Sequence, residues 1–376
     1  MTKKKEVKMY KHYAAIDIGS NAVRLLIKRF EKNDGMYSEY KELMLRIPLR
    51  LGFDVFKKNR ISRENIKQLT RLMKGFSYLM KIYDVKDYLA CATSAIRDAQ
   101  NGEKVTKSIR EKTGVHIHIL NGRQEALGIC NTSTGCFDDK NGNYMYVDVG
   151  GGSTEISMLS NGHLIFSNSY NIGTIRILCD AVQDSEWVRM NMDIAKLAQS
   201  YTDIHVIGTG GNINKLYRLI ETSDKKRKRI TVESLSDICN TMANMTVEER
   251  MSAYSLKYDR ADVIVPAGSI FLAIMEIVKS KYIYVPTIGL PDGIINMLFE
   301  HDMKKYKRKH IKCEKEKTEI NNSCVHENEN NSDNNVPETS DNDKESETDN
   351  NEIEETTLDT QNPSDITDTA DGKITE

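Results

Sequence analysis

No two of the seven cysteines (Cys91, Cys130, Cys136, Cys179, Cys239, Cys313 and Cys324) form a C-x-x-C pair, and their number is odd. Reduced thiols in a cytoplasmic protein are the economical reading. No uninterrupted apolar run approaches the ~18 residues that a membrane span needs. The longest apolar piece, Ser269 to Val278, is short and contains Glu276, so no membrane partner is expected. The opening M-T-K-K-K-E-V-K has charge without an apolar run behind it, so no secretory signal is expected. From Thr318 to Glu376 there is no Phe, Trp or Tyr.

That aromatic-free stretch carries 18 acidic and two basic residues, a net charge of −16. The whole chain of 376 residues carries −2, which leaves +14 on Met1 to Lys317. Such a segment cannot bury enough apolar surface to offset its chain entropy, so 312–376 is expected to be a disordered acidic tail. The basic body suits a polyanionic partner. Its densest clusters are Lys225 to Arg229 (K-K-R-K-R) and Lys304 to Lys312, each of which reads first as a solvated surface. No aromatic-interleaved basic patch or reader motif marks a nucleic-acid partner.

Strand-like and helix-like segments alternate through the first 300 residues. Strands are expected at His12–Ile18, Val23–Phe30, Leu43–Leu49, Tyr88–Ala92 and Val115–Leu120, with helices at Ser62–Ile82, about Asp98–Lys112 and from Arg123. The pattern then restarts. Strands at Tyr144–Val149, Thr154–Leu159 and Leu164–Tyr170 precede several helices, a short strand at Ile204–Ile207, a strand at Tyr282–Ile288 and a last helix over Asp292–Lys304. Strand–turn–strand occurs twice with matching chemistry: I-D-I-G-S-N at Ile16–Asn21 and V-D-V-G-G-G-S-T at Val147–Thr154. This near-repeat predicts two similar α/β domains facing a cleft, 1–135 and 136–311.

Each turn puts an Asp at the end of a buried strand, then glycine and hydroxyl residues. In Asp17-Ile18-Gly19-Ser20-Asn21 the glycine lets backbone N–H groups approach an anion, and Ser20 and Asn21 add donors. An ordinary hairpin would look the same. In Asp148-Val149-Gly150-Gly151-Gly152-Ser153-Thr154-Glu155, three successive glycines cost more chain entropy than a simple turn warrants. A phosphate cradle flanked by two carboxylates explains them better, and Asp148 and Glu155 suit a hard cation such as Mg²⁺. Gly208-Thr209-Gly210-Gly211 joins a strand to a helix N-terminus, which favours an anion. Arg97 fits bidentate phosphate recognition, or a surface ion pair. Glu125 falls near a helix start, where the macrodipole alone would favour a carboxylate.

The set I-D-I-G-S-N-x-x-R-L-L (Ile16–Leu26), A-T-S-A-I-R-D-A-x-N (Ala92–Asn101), N-G-x-x-E-A (Asn121–Ala126), D-V-G-G-G-S-T-E (Asp148–Glu155) and G-T-G-G (Gly208–Gly211) resembles the exopolyphosphatase/guanosine pentaphosphate phosphatase family. The likeness covers roughly Tyr13 to Leu298. It departs at Ala22, where a hydroxyl residue is common, and at Gly289-Leu290-Pro291-Asp292-Gly293, which lacks the family's Arg. The resemblance implies two actin-like (ribonuclease H-like) domains and Mg²⁺-dependent hydrolysis of the terminal phosphate of polyphosphate or guanosine pentaphosphate. It implies catalytic roles for Glu125, Asp148 and Glu155, the last two near the metal. It assigns phosphate contacts to Asp17, Gly19, Ser20, Asn21, Arg24, Arg97, Gly150, Gly151, Gly152, Ser153, Thr154, Gly208, Thr209, Gly210 and Gly211. The family often dimerises, so a homodimer is a further expectation. A kinase or ATPase on the same fold, and a non-enzymatic sensor of nucleotide or polyphosphate, are the rival readings.

Overall fold

The structure is a computed structural model that describes residues 10–33, 36–130 and 141–305. The expected acidic tail and the expected domain boundary near 135 lie outside the described residues.

The first strand, β1 (Tyr10–Ile18), is buried from Tyr13 onward, as its apolar run demands of a central strand. It forms a hairpin with β2 (Val23–Asn33), which pairs in turn with β3 (Met36–Ile47). The strands β4 (Val85–Ala92) and β5 (Ile117–Ile119) add in parallel, giving the order β3-β2-β1-β4-β5. The second sheet repeats this plan. In it β6 (Asn143–Val149), β7 (Thr154–Ser160) and β8 (His163–Tyr170) form an antiparallel meander. On the other side of β6, β9 (Ile204–Thr209) and the short strand Tyr282–Tyr284 run parallel, and Arg229–Thr231 adds an antiparallel edge. Thus β6, β7, β8 and β9 stand in the second sheet where β1, β2, β3 and β4 stand in the first.

Helices Arg63–Ile82 and Gly102–Thr113 cover one face of the first sheet, burying Leu69, Met73, Phe76, Val105 and Ile109. Ser62 caps the first of them by accepting from Asn65 N at 3.2 Å. The opposite face is closed by the helix over residues 290–305. Its Leu290, Ile294 and Ile295 pack on Tyr13, Leu26 and Phe30, and Phe299 stacks on Phe30 at 4.0 Å between ring centroids. A buried ion pair, Lys28 to Asp292 at 3.0 Å, pins the start of that helix. In the second sheet, helices Asp184–Ser200, Val232–Ala243 and Ile264–Val278 enclose the larger core. By length and composition Tyr258–Val278 would pass for a membrane span. Here Ile264, Ala267, Ile270, Phe271 and Ile274 are buried in the protein's own core.

Several elements depart from the sequence reading. β3 begins at Met36 rather than Leu43. The strand after Lys281 stops at Tyr284 instead of Ile288, where Val285-Pro286 removes a donor and Thr287 turns to φ 64°. The helix expected over about Asp98–Lys112 runs Gly102–Thr113, and a short helix not expected, Ser94–Asp98, precedes it with Ala99 extended between them. Helix Leu51–Lys58 was not expected at all. It begins right after Arg50, whose left-handed conformation leaves no sequence signal.

Candidate active site

The two hairpin turns have the same closure. Gly19 N donates to Ala22 O at 3.1 Å, and Gly150 N donates to Ser153 O at 2.9 Å. The registers match too: Asp17 pairs with Arg24, and Asp148 pairs with Glu155. The turns pack against one another. A Cβ on Gly151 would lie 3.0 Å from Asn21 N, and one on Gly152 would lie 2.7 Å from Ser20 Oγ. Close backbone approach is therefore what the glycines at 151 and 152 permit. Ser20 Oγ also meets Ser94 Oγ at 2.9 Å, tying the turn to the A-T-S-A-I-R segment.

Glu125 enters from the helix Gly122–Cys130. Asn121 starts that helix by a reciprocal cap: its N–H donates to Gln124 Oε1 at 3.0 Å, and its Oδ1 accepts from Gln124 N at 2.9 Å. A Cβ on Gly122 would lie 2.8 Å from Ser169 Oγ, so glycine lets the helix sit directly on β8. Ser169 in turn donates to Glu155 Oε1 at 2.8 Å. The N-G-R-Q-E sequence thus reads as a cap, a close contact and a carboxylate aimed inward. Glu125 is buried and accepts from Arg97 at 3.2 Å, and Arg97 also donates to Leu120 O.

Two buried carboxyls, Glu125 and Glu155, now stand with the half-buried Asp148. Burial, then the charge of Glu155, pushes Glu125 well above the usual carboxylate range against the pull of Arg97. Burial and the Asp148 charge push Glu155 up to about 7. Burial raises Asp148 to about 6 against the pull of Arg24. Asp148 Oδ1 and Glu155 Oε2 are buried with no hydrogen-bond partner. Orphaned carboxylate oxygens of this kind cost free energy unless a cation meets them. Among the described residues no group of three His, Cys, Asp or Glu forms a cage. Mg²⁺ commonly takes only one or two protein carboxylates and keeps its waters, and this pair fits that habit.

Around these groups lies a cleft of about 640 Å³. Of the residues singled out in the sequence, it is lined by Asp17, Gly19, Ser20, Asn21, Arg24, Glu125, Asp148, Gly150, Gly151, Ser153, Gly210 and Gly211. Others lie behind it. Glu155 backs Asp148, Arg97 backs Glu125, and Gly152 abuts Ser20 and Ser94. Thr154 turns its hydroxyl to Ile172 O at 2.6 Å, and Thr209 reaches Val147 O at 3.4 Å. Gly208 packs against Ile213, Ile283 and Phe271. Gly210, at φ 98°, occupies the left-handed region and lies tight against the Asp148 carboxylate.

The cleft also holds cations absent from the sequence reading of the site: Lys41, Arg46, Lys215, Arg218, Lys257 and Arg260. With Arg24 they outnumber the lining carboxylates Asp17, Glu125, Asp148 and Asp292, so the slot favours a polyanion. Arg260 donates to Gly211 O at 2.5 Å, and burial with Arg46 and Arg24 nearby lowers its guanidinium to about 10. Arg46 pairs with Asp259, and Arg24 with Asp17 at 2.6 Å. In sequence, a Lys or Arg on an edge strand or helix looks like a solvated face.

Paired glycine turns at the ends of matching strands, three clustered carboxyls and a cationic slot define a two-sheet α/β protein built around a phosphate-type cleft. The chain belongs to the Ppx/GppA phosphatase family, whose model matches residues 44–301. It is 26% identical over 297 residues to the bifunctional 3-dehydroquinate synthase/phosphatase of Fusobacterium nucleatum, a match covering 72% of this chain and 44% of that protein. It is 23% identical over 299 residues to the guanosine-5'-triphosphate,3'-diphosphate pyrophosphatase of Aliivibrio fischeri, covering 75% of this chain and 58% of that protein. Exopolyphosphatase 1 of Mycobacterium tuberculosis is 22% identical over 299 residues, covering 74% of this chain and 86% of that one. The chain thus spans about half the length of the first two of these relatives. The crystal structure of the Aquifex aeolicus Ppx/GppA family member shares the fold, with a TM-score of 0.62 at 24% identity, covering 78% of this chain and 99% of that one.

Proposed function

We propose that this protein is a phosphohydrolase that removes the terminal phosphate of inorganic polyphosphate or guanosine pentaphosphate. Its two sheets are read as actin-like domains meeting at the cleft. The observation that carries the reading is the position of Glu125. It is a buried carboxyl, held by Arg97 and a docked helix, in the wall of a cleft that two glycine turns and seven Lys and Arg side chains also line. Membership of the family and the names of its relatives point the same way.

Asp148 and Glu155 are the residues that would hold Mg²⁺, because their orphaned oxygens suit it. Bound there, the metal would neutralise charge on the transferring phosphoryl group. Glu125 holds the attacking water and takes its proton, and Arg97 keeps the carboxylate aimed. Backbone N–H groups of the turns at Gly19–Asn21 and Gly150–Ser153, with Arg24, bind the equatorial oxygens. Such chemistry needs positioning and electrostatics rather than a covalent nucleophile, and among the described residues no cysteine lines the cleft. A raised carboxyl beside other carboxyls gains nothing in a protein that merely binds anions, which weighs against the sensor reading.

The test is phosphate release with Mg²⁺ from polyphosphate, guanosine pentaphosphate and ATP, with Glu125→Gln as control. Release from either of the first two, reduced about 10²–10⁴-fold by the substitution, is the expected result. Equal release by the variant would remove Glu125 from the mechanism, and no release from any of them would leave a binding protein.

A further inference from the structure

The run Lys225 to Arg229 reads in sequence as a solvated turn. In the structure it is a closed and anchored one. Asp224 N donates to Arg229 O at 2.9 Å, and Arg229 N returns to Asp224 O at 3.1 Å. Asp224 Oδ1 accepts from Arg227 N at 2.9 Å, and Lys228 O accepts from Val285 N at 2.6 Å. The flanking cations serve the turn itself. Arg229 pairs with Asp224 at 3.1 Å and stacks on Tyr282, while Lys225 donates to Tyr217 O at 3.0 Å and covers the Tyr217 ring. The three at the tip, Lys226, Arg227 and Lys228, are exposed, and none pairs with a carboxylate among the described residues. Holding three like charges side by side in a fixed turn costs repulsion and returns nothing inside the protein.

The turn is also joined to the cleft. Lys225 bonds the last turn of the helix Gly211–Leu219. The first residue of that helix, and Lys215 and Arg218 on one face of it, line the cleft. The helix is nine residues, about 13 Å at 1.5 Å each, and Lys215 and Arg218 set positive charge along it between Gly211 and the last turn that Lys225 bonds. A linear polyphosphate carries charge at every repeat and so has a charge to place along the whole of that path.

We propose that Lys226, Arg227 and Lys228 form an exosite for inorganic polyphosphate, which runs from the cleft along Lys215 and Arg218 to the turn. This rests on the phosphohydrolase reading for the chain's reacting end. The exosite raises affinity for long chains over short ones and takes no part in bond cleavage.

The test compares wild type, the triple variant Lys226→Gln/Arg227→Gln/Lys228→Gln, and a charge-matched control, Lys67→Gln/Arg71→Gln/Lys74→Gln, on the exposed face of another helix. Each is examined in the active protein for hydrolysis of tripolyphosphate and of a long-chain polyphosphate, and in the Glu125→Gln background for binding of the long chain against salt. The loop variant is expected to raise KM for the long chain about tenfold and leave kcat and all tripolyphosphate kinetics unchanged. At roughly 0.7 per phosphate contact, three lost contacts should flatten the slope of log K against log salt by about two. The control should do neither. Equal losses in the loop variant and the control would reduce the effect to net charge and overturn the exosite. Loss of single-stranded RNA binding in the loop variant, with polyphosphate binding retained, would overturn it in favour of a nucleic-acid site. If wild type releases no phosphate but the loop variant still loses long-chain binding, the hydrolase reading fails and the exosite stands.

Discussion

Replacing Gly173 by alanine tests the site through a residue that touches no substrate. Gly173 precedes helix Thr174–Leu178 with an extended backbone (φ −151°, ψ 159°) that any residue adopts. The obstacle is space. An added Cβ would lie 2.5 Å from Gly152 C, 2.6 Å from Gly152 N and 2.6 Å from Ser153 N. Those atoms are the backbone of the glycine turn, so no side-chain rotation relieves the clash. Ordinary contact at 3.5–4.0 Å requires a shift of about 1 Å. Overpacking of this kind costs about 1–3 kcal/mol, and at roughly 2–4 °C per kcal/mol for a body of this size Tm falls by several degrees. A displacement of about 1 Å in a turn that holds the transferring phosphate lowers kcat about 100-fold. Gly75 supplies the opposite sign. It sits in helix Arg63–Ile82 with nothing within 4 Å of its would-be Cβ. There alanine lowers the entropy of the unfolded chain and fits the helix, raising stability by about 0.5–1 kcal/mol with kcat unchanged. Thermal unfolding by circular dichroism and phosphate-release kinetics on both variants decide the matter. A Gly173→Ala protein with wild-type Tm and kcat would refute the close approach of residue 173 to the turn.

Burial holds the carboxyls of Asp148 and Glu155 up at about 6 and about 7. The stability they contribute is complete below their unfolded value near 4 and is lost as pH rises through about 6–7. Metal-free protein should therefore lose Tm across that window, and Asp148→Asn/Glu155→Gln should flatten the loss, as read by thermal scans in chelator. Mg²⁺ should raise Tm of the wild type and leave the double variant unmoved; an equal rise in both would place the metal elsewhere. Lys28 and Asp292 are a buried pair at 3.0 Å with side chains 5% and 6% exposed. Lys28→Ala should cost about 1–3 kcal/mol in urea unfolding, because the Asp292 carboxylate loses its nearest cation but keeps Lys41 at 3.9 Å and the N–H of Gly289 at 3.1 Å, and the double variant with Asp292→Ala should recover part of that loss.

Much of this fold is written in local pattern. The buried run Tyr13–Ile18, the restart at Tyr144 and the two D-x-G turns follow from period, apolar content and glycine. The Ser62 cap and the helix bearing Glu125 follow from their end signals. What sequence left out depends on partners far along the chain. Helix Leu51–Lys58 starts from a left-handed Arg50, and the break at Ala99–Asn101 comes from Gly102 fitting against Ile96 O. Within the site, Asp148 and Glu155 are legible because acids flanking three glycines are unusual, whereas Glu125 stands out only through the family resemblance, since a carboxylate at a helix start is ordinary. Arg46, Arg218 and Lys257 are not legible, since only the meeting of edge strand, helix and loop brings them to one slot. Conversely Thr154 and Gly208 belong to motifs whose neighbours face the cleft, while strand alternation and packing turn these two away from it.

The two halves of the molecule share one plan, but position by position they differ in sign where it counts. Across the first hairpin Asp17 faces Arg24, and across the second Asp148 faces Glu155. The first turn pairs a carboxylate with a guanidinium, and the second sets two acids together, whose crowding is part of what raises the Glu155 carboxyl. A duplicated scaffold would present a charged chain with two equivalent ends of a symmetric slot. A single reversal of charge at one register position breaks that equivalence, so the two turns meet whatever anion lies between them with different charge.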